Sequence, residues 1–327
     1  MATFASLPLR GALPPDLGVQ NHTSPAAATA TPSFKPTFAS LPLSVQTWAV
    51  QMVVFHAVGL LFELMDRLHL FPSTKVRRTR KSQYTHLLPT VLRNQILLLL
   101  PSMYACELAG LAFVGGSLHP LRFLANLPLM ALGHEIVQYC GHRYLLHAPS
   151  VWLMQLLRHS VHHSTRASSA ISACYMSAVD FFIEIVCPYL LPLAAVGGGG
   201  GGAAFHFLVA GAGAVGGLYE HSGYDFATLF RPAFENVGEK PLSPAEKEAA
   251  YKQIEEEERG PIRKFVTAWL ADFLDNRAHL EHHTRGYVSF SDGFGSPGIL
   301  DTLLRTRWDL SERRRADVER EWARQRQ

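Results

Sequence analysis

Apolar residues along the chain gather into five long runs joined by polar or glycine-rich connectors. The first, residues 45–65, reads VQTWAVQMVVFHAVGLLFELM. At about 1.5 Å per residue it is one bilayer thickness of helix. Runs at 96–114, 123–140, 178–196 and 203–219 follow. Gly115-Gly116-Ser117 and the six glycines at 197–202 mark turns between them. The pattern predicts an all-α fold of polytopic membrane helices, with one N-terminal span and then two helical hairpins. The basic run KVRRTRK at 75–81 marks a cytoplasmic side under the positive-inside rule. Each later hairpin leaves that side and returns to it. Residues 142–163, His221 and residues 279–283 are therefore expected on the cytoplasmic face, as a helical cap.

The remaining segments are polar. Residues 1–44 are rich in Pro, Ala, Thr and Ser, and repeat TFASLPL at 3–9 and 37–43. They read as a disordered leader, on the far side of the membrane, with a glycosylation sequon at Asn21. Residues 45–327 form the folded domain. Within it, 235–262 reads as an acidic surface insert, with Ser243 and Glu246 spaced as a capping box. Residues 307–327 form a charged tail.

Composition supports a membrane protein with a substantial polar portion. Charged residues are 17% of the chain, below the roughly 25% of soluble proteins. The net charge of +3 comes from local basic clusters, which fits membrane topology and not nucleic-acid binding. Cys106, Cys140, Cys174 and Cys187 are scattered with no C-x-x-C, which excludes a zinc ribbon or a redox dithiol. HEIVQ at 134–138 lacks the second histidine that a zinc-protease helix needs, and the glycine tracts lack both the Walker pattern and G-x-G-x-x-G.

Candidate chemistry lies in the histidines. HRYLLHAPSVWLMQLLRHSVHH at 142–163 holds five, and HLEHH at 279–283 repeats the H-x-x-H-H spacing of His159, His162 and His163. On a helix, residues i, i+3 and i+4 share a face, so each motif is expected to point three imidazoles the same way. With His221 the candidate ligands are His142, His147, His159, His162, His163, His221, His279, His282 and His283. A mononuclear zinc site uses about four ligands, so nine suggests two metals. Imidazole suits Fe, Zn, Cu and Ni alike, so the ligand type leaves the metal open. Partners expected around the ligands are Asp225, Glu135, Tyr139, Asn276 and Asp301. Asp225, four residues after His221, is expected as a carboxylate ligand or as the orienter of a histidine.

GHRYLLH, LRHSVHHS, EHSGYD, HLEHHTRG and the closing GILDTLLRT together resemble blocks of the membrane fatty acid hydroxylase / sterol desaturase superfamily, over about residues 94–306. The HSGYD block is most similar to the sterol C4-methyl oxidase branch, and HRYLLH with HSVHH to sphingoid-base hydroxylases. The resemblance implies two irons per chain, O2 as co-substrate, and hydroxylation or desaturation of a sterol, sphingoid base or fatty acyl chain in lipid biosynthesis. It also implies a multi-pass protein of the endoplasmic reticulum. Electrons would come from a separate cytochrome b5 or NAD(P)H reductase, since no haem or dinucleotide segment is recognisable. The competing readings are a non-catalytic membrane metal-binding or transport protein, with Glu107, Asp180 and Glu184 as pathway residues, an inactive homologue, and a zinc hydrolase.

Overall fold

The computed structural model describes residues 37–77, 83–198, 201–230, 261–291 and 298–310. The leader up to residue 36, its first TFASLPL copy and Asn21 lie outside these residues. So do positions 78–81 of the basic run, Gly199 and Gly200, almost all of the acidic insert, and the tail beyond residue 310.

The described residues are helical, with no strand among them and one isolated bridge between Lys75 and Tyr224. Helix α1, Leu43–Arg67, starts two residues before the predicted run. Glu107 caps it from a distance. Its Oε1 accepts from the Leu43 N–H at 2.9 Å and its Oε2 from the Ser44 N–H at 3.0 Å. A carboxylate is favoured there by the positive end of the helix dipole. The interruption that Glu107 makes in its apolar run thus has a structural use.

The second predicted run is displaced. Helix α2, Tyr84–Asn94, continues through a π-helical segment, Gln95–Leu99, into α3, Leu100–Leu108. The helix therefore begins well before residue 96 and ends before 114. Helix α4, Pro120–Gly141, runs into a second π segment, His142–Leu146. Short helices α5, Val151–Leu157, and α6, Ser160–His163, follow. Helix α7, Ala178–Phe181, continues through a third π segment, Phe182–Val186, into α8, Cys187–Ala195. Helix α9 is Gly202–His221. The last three are α10, Pro261–Phe273, α11, Arg277–Arg285, and α12, Ile299–Leu303. Each π segment is followed by a proline, Pro101, Pro149 or Pro188. Where the proline lies inside the continuing helix, at Pro101 and Pro188, its ring clashes with the carbonyl four residues back, and that residue (Leu97 or Glu184) falls inside the widened turn; Pro149 lies beyond the end of its helix.

Helix α1 packs along α9 and α3, and α4 packs along α8. Phe55, Leu87, Val91, Leu99, Met103, Phe181, Leu193, Phe205 and Leu218 fill the core between them. Val53, Leu60, Leu61, Leu97, Leu108, Leu121 and Leu124 face outward. Among the described residues three helices are long and apolar enough to cross a membrane: Leu43–Arg67, Ala178–Ala195 and Gly202–His221. Five were expected. The two others carry Arg93-Asn94-Gln95, and Arg122, Asn126, His134 and Glu135, and do not reach that composition.

Close approach of α4 to the α7–α8 helix depends on two glycines. A Cβ at Gly133 would lie 2.8 Å from Pro192 Cβ, and one at Gly141 would lie 3.1 Å from Ile183 Cγ2. Gly133→Ala gains up to about 1 kcal/mol of helix propensity but overpacks a rigid ring at a cost of about 1–3 kcal/mol. It is expected to lower the melting temperature. Gly213→Ala, in α9 with nothing within 4 Å of the added carbon, is expected to leave it unchanged or raise it. Thermal melts in one detergent check the pair, and the reverse order would contradict the packing.

Candidate metal centre

All nine predicted histidines come together, and they form two sets. His142, His147, His159, His163 and His282 make one, and His162, His221, His279 and His283 make the other. Within each set the ligand nitrogens lie within 4.8 Å of one another. In the first set, Nε2 of His142 is 3.2 Å from Nε2 of His159, and His159 is 2.9 Å from His163. His282 is 3.1 Å from His163 and 3.2 Å from His147 by the same atoms. In the second set, Nε2 of His221 is 3.0 Å from His162 and 3.1 Å from both His279 and His283.

The expectation that each H-x-x-H-H points one way is corrected. His159 and His163 serve the first set, while His162 serves the second. His279 and His283 serve the second set, while His282 serves the first. Each motif gives its i and i+4 rings to one set and its i+3 ring to the other. Helical geometry explains the split: at about 3.6 residues per turn, positions i+3 and i+4 fall on opposite sides of position i, about 100° apart.

Tautomers follow from the outer partners. Nδ1 of His142 donates to the Phe290 carbonyl at 2.8 Å, Nδ1 of His282 to Val288 at 2.7 Å, and Nδ1 of His221 to Gly217 at 2.8 Å. Nδ1 of His159 donates to Asp180 Oδ1 at 2.9 Å. A neutral ring that donates from Nδ1 presents a lone pair at Nε2. The facing Nε2 atoms of His142 and His159 are therefore two acceptors at hydrogen-bond distance with no proton to share. A cation resolves that conflict. Two nitrogens at about 2.0–2.1 Å from one metal stand roughly 2.9–3.4 Å apart, which matches the separations found. The donor sets fit a metal ion.

Seven of the rings are also held toward the neutral form. Burial lowers the His147 imidazole to about 3. Burial first, then neighbouring imidazoles, holds His142, His162, His163, His279, His282 and His283 well below the usual histidine range. Neutral imidazole is the form that binds metal.

Of the five expected outer partners, Asp301, Glu135, Asn276 and Asp225 hold backbone, and Tyr139 meets a side-chain hydroxyl. Asp301 accepts from the Phe290 N–H at 3.0 Å, the Ser291 N–H at 2.7 Å and the Thr306 hydroxyl at 2.6 Å. It thereby fixes the strap whose Val288 and Phe290 carbonyls hold His282 and His142. Glu135 accepts from the Leu300 N–H at 2.7 Å and ties α12 to α4. The Tyr139 hydroxyl meets Thr306 Oγ1 at 3.2 Å. Asn276 Nδ2 donates to the carbonyls of Tyr219, Glu220 and Tyr224 at 3.1, 3.2 and 2.8 Å, joining the start of α11 to the end of α9. Asp225 is corrected: its Oδ1 accepts from the Ala227 N–H at 3.2 Å and the Asn276 N–H at 3.3 Å. Through these backbone bonds it steadies the α11 entry. The sequence reading missed Asp180 and Glu184 as members of the site. Both are buried, and they form a group with His159. The available signal was two acids four residues apart inside an apolar run.

Asn276→Ala would remove the amide donor shared by the Glu220 and Tyr224 carbonyls, while the Tyr219 carbonyl keeps its bonds from Ser222. We expect it to destabilise the metal-free protein by about 1–3 kcal/mol; a melt identical to wild type would contradict the role. Acidification tests the neutral rings. Below the unfolded histidine value of about 6.5, the unfolded chain takes up protons that the folded clusters refuse. The stability of the metal-free protein is thus full above that pH and falls as pH drops toward the depressed folded values. Its melting temperature should decline between about pH 7 and about pH 5, and a flat profile would contradict the buried, neutral state.

The fatty acid hydroxylase family model matches residues 127–240. The match takes in the first histidine stretch and His221, while the HLEHH helix beyond it is joined to the same centre by geometry. No curated protein and no solved structure matches the chain. With its three apolar helices and this match to a membrane-enzyme family, the protein is a membrane protein. At residues 127–240 the chain contains a fatty acid hydroxylase domain, the domain of the fatty acid hydroxylase/sterol desaturase superfamily.

Proposed function

We propose that this protein is a membrane-bound, di-iron oxidoreductase that uses O2 to hydroxylate or desaturate a lipid in a biosynthetic pathway. The observation that carries the reading is the division of nine histidines into sets of five and four, each with its Nε2 atoms about one coordination edge apart. His142, His147, His159, His163 and His282 would hold one iron. His162, His221, His279 and His283 would hold the other. Bound iron would supply the activation of O2 and the oxidising power needed to break an unactivated C–H bond.

The chain's own residues supply placement and exclusion of water. The Phe290 and Val288 carbonyls and Asp180 fix which nitrogen of His142, His282 and His159 faces inward. His162 and His282 are fully buried, which limits water around them. The outward apolar faces of the helices fit a lipid that arrives sideways from the bilayer: a sterol, a sphingoid base or a fatty acyl chain. A separate cytochrome b5 or NAD(P)H reductase would deliver electrons. An endoplasmic-reticulum location, with the histidines on the cytoplasmic side, fits that donor.

Purified protein is expected to contain about two irons per chain and to oxidise the lipid that accumulates in cells lacking it, with turnover dependent on O2 and reductant. Replacing an outer partner of a metal ligand typically costs 10–100-fold, so His162→Ala, which removes a ligand itself, should cost at least about 100-fold. Turnover that survives His162→Ala, or that proceeds without O2, would contradict the proposal. The second result would favour the zinc-hydrolase reading.

A further inference from the structure

Between the two imidazole sets lies a carboxylate that the foregoing account leaves without a role. Glu184 sits in the π segment Phe182–Val186, and its side chain is 4% exposed. Its Oε1 is 3.9 Å from Nε2 of His142 and 3.7 Å from Nε2 of His162. Its Oε2 is 3.3 Å from Nδ1 of His159. His142 and His162 belong to different sets, so one carboxylate oxygen faces an inward nitrogen of each. Two atoms bound to one metal at about 2.1 Å stand at most about 4.2 Å apart, and both Oε1 separations lie within that limit.

Two further observations point to a cation here. Asp180 Oδ2 is buried with no hydrogen-bond partner among the described residues, and the Glu184 carboxyl is buried directly against the Asp180 carboxylate. Buried carboxylates are tolerated when paired or bound to metal. The backbone is also arranged to deliver this side chain. The Pro188 ring displaces the Glu184 carbonyl from regular helical bonding, and the widened turn that results carries Glu184. Insertions of this kind are frequent at functional sites. Gly141 lets the segment approach the start of His142–Leu146, since a Cβ there would press on Ile183 at 3.1 Å.

We infer that Glu184 is a carboxylate ligand shared by the two metal positions, an inference that rests on the two-metal reading above. Neutral imidazoles alone would leave the full charge of two divalent ions uncompensated in a buried site. One carboxylate between them offsets part of that charge at both positions. Asp180 acts differently, as a positioning residue that holds the His159 ring.

The test uses full-length protein in detergent, loaded with Fe(II) without oxygen. Iron content, iron affinity and the Mössbauer signature of magnetic coupling are measured for wild type, Glu184→Gln, Glu184→Ala and Glu184→Asp, with melts of the metal-free forms as the check on folding. Wild type should bind two coupled irons. The Gln and Ala variants should bind iron at least about tenfold more weakly and lose the coupling, and the Asp variant should recover part of both. Gln and Ala variants that keep wild-type iron affinity and coupling overturn the shared ligand. A merely structural glutamate would lower the metal-free melts without changing affinity or coupling, and that result also overturns it. If the variants do not fold, wild type with isotope-labelled glutamate carboxylates decides the matter. A glutamate carboxylate stretch that shifts on iron loading supports the inference, and an unmoved stretch overturns it. Wild type that never takes up two irons rejects the two-metal reading itself.

Discussion

Lone pairs that face each other without a proton between them are the constraint on which this structure turns. His142 and His159 both spend their N–H outward, on a backbone carbonyl and on Asp180, and bring bare Nε2 atoms to 3.2 Å. Such an arrangement is costly alone and favourable around a cation. The crosswise sharing of the two H-x-x-H-H motifs extends it. Because His162 crosses to the second set and His282 to the first, neither position can be assembled without both helices. Metal binding would therefore fasten α6 to α11 twice, in opposite senses, and the site would act as the tertiary lock of the polar end of the bundle.

Most of the surrounding polar structure serves that lock at one remove. The strap at 288–291 gives two carbonyls to two imidazoles and is itself held by Asp301, which sits on α12, which Glu135 ties to α4. Asn276 and Asp225 do the equivalent for the α9–α11 junction. Outer partners need not touch a ring to orient it. Fixing the carbonyl that the ring donates to has the same effect, with fewer charges buried beside the metal.

Sequence spacing revealed six of the nine clustered histidines, because imidazoles at i, i+3 and i+4 are rare without a use and the pattern occurs twice. It also revealed the first apolar helix almost to the residue, since 45–65 needs nothing but apolar side chains to be recognised. Three features were not legible. The split within each motif depends on where the facing helix lies, which a local pattern does not contain. Helix α2–α3 begins at Tyr84 because Tyr84, Leu87 and Val91 are buried along one face and the polar end of α2 is satisfied by tertiary contacts, with Asn94 Nδ2 donating to Cys174 O and Met176 O. Hydropathy reads such residues as connector. Asp180 and Glu184 were hidden by the apolar run around them, where a charge reads as a defect in a span before it reads as part of a site reached from His159.

The central claim is that two metals lie between the motifs, one in each imidazole set. Anomalous scattering at the iron edge from the metal-loaded protein tests it most directly. The account predicts two peaks per chain, one inside His142–His147–His159–His163–His282 and one inside His162–His221–His279–His283. A single peak, or metal bound anywhere but within these two sets, would contradict it.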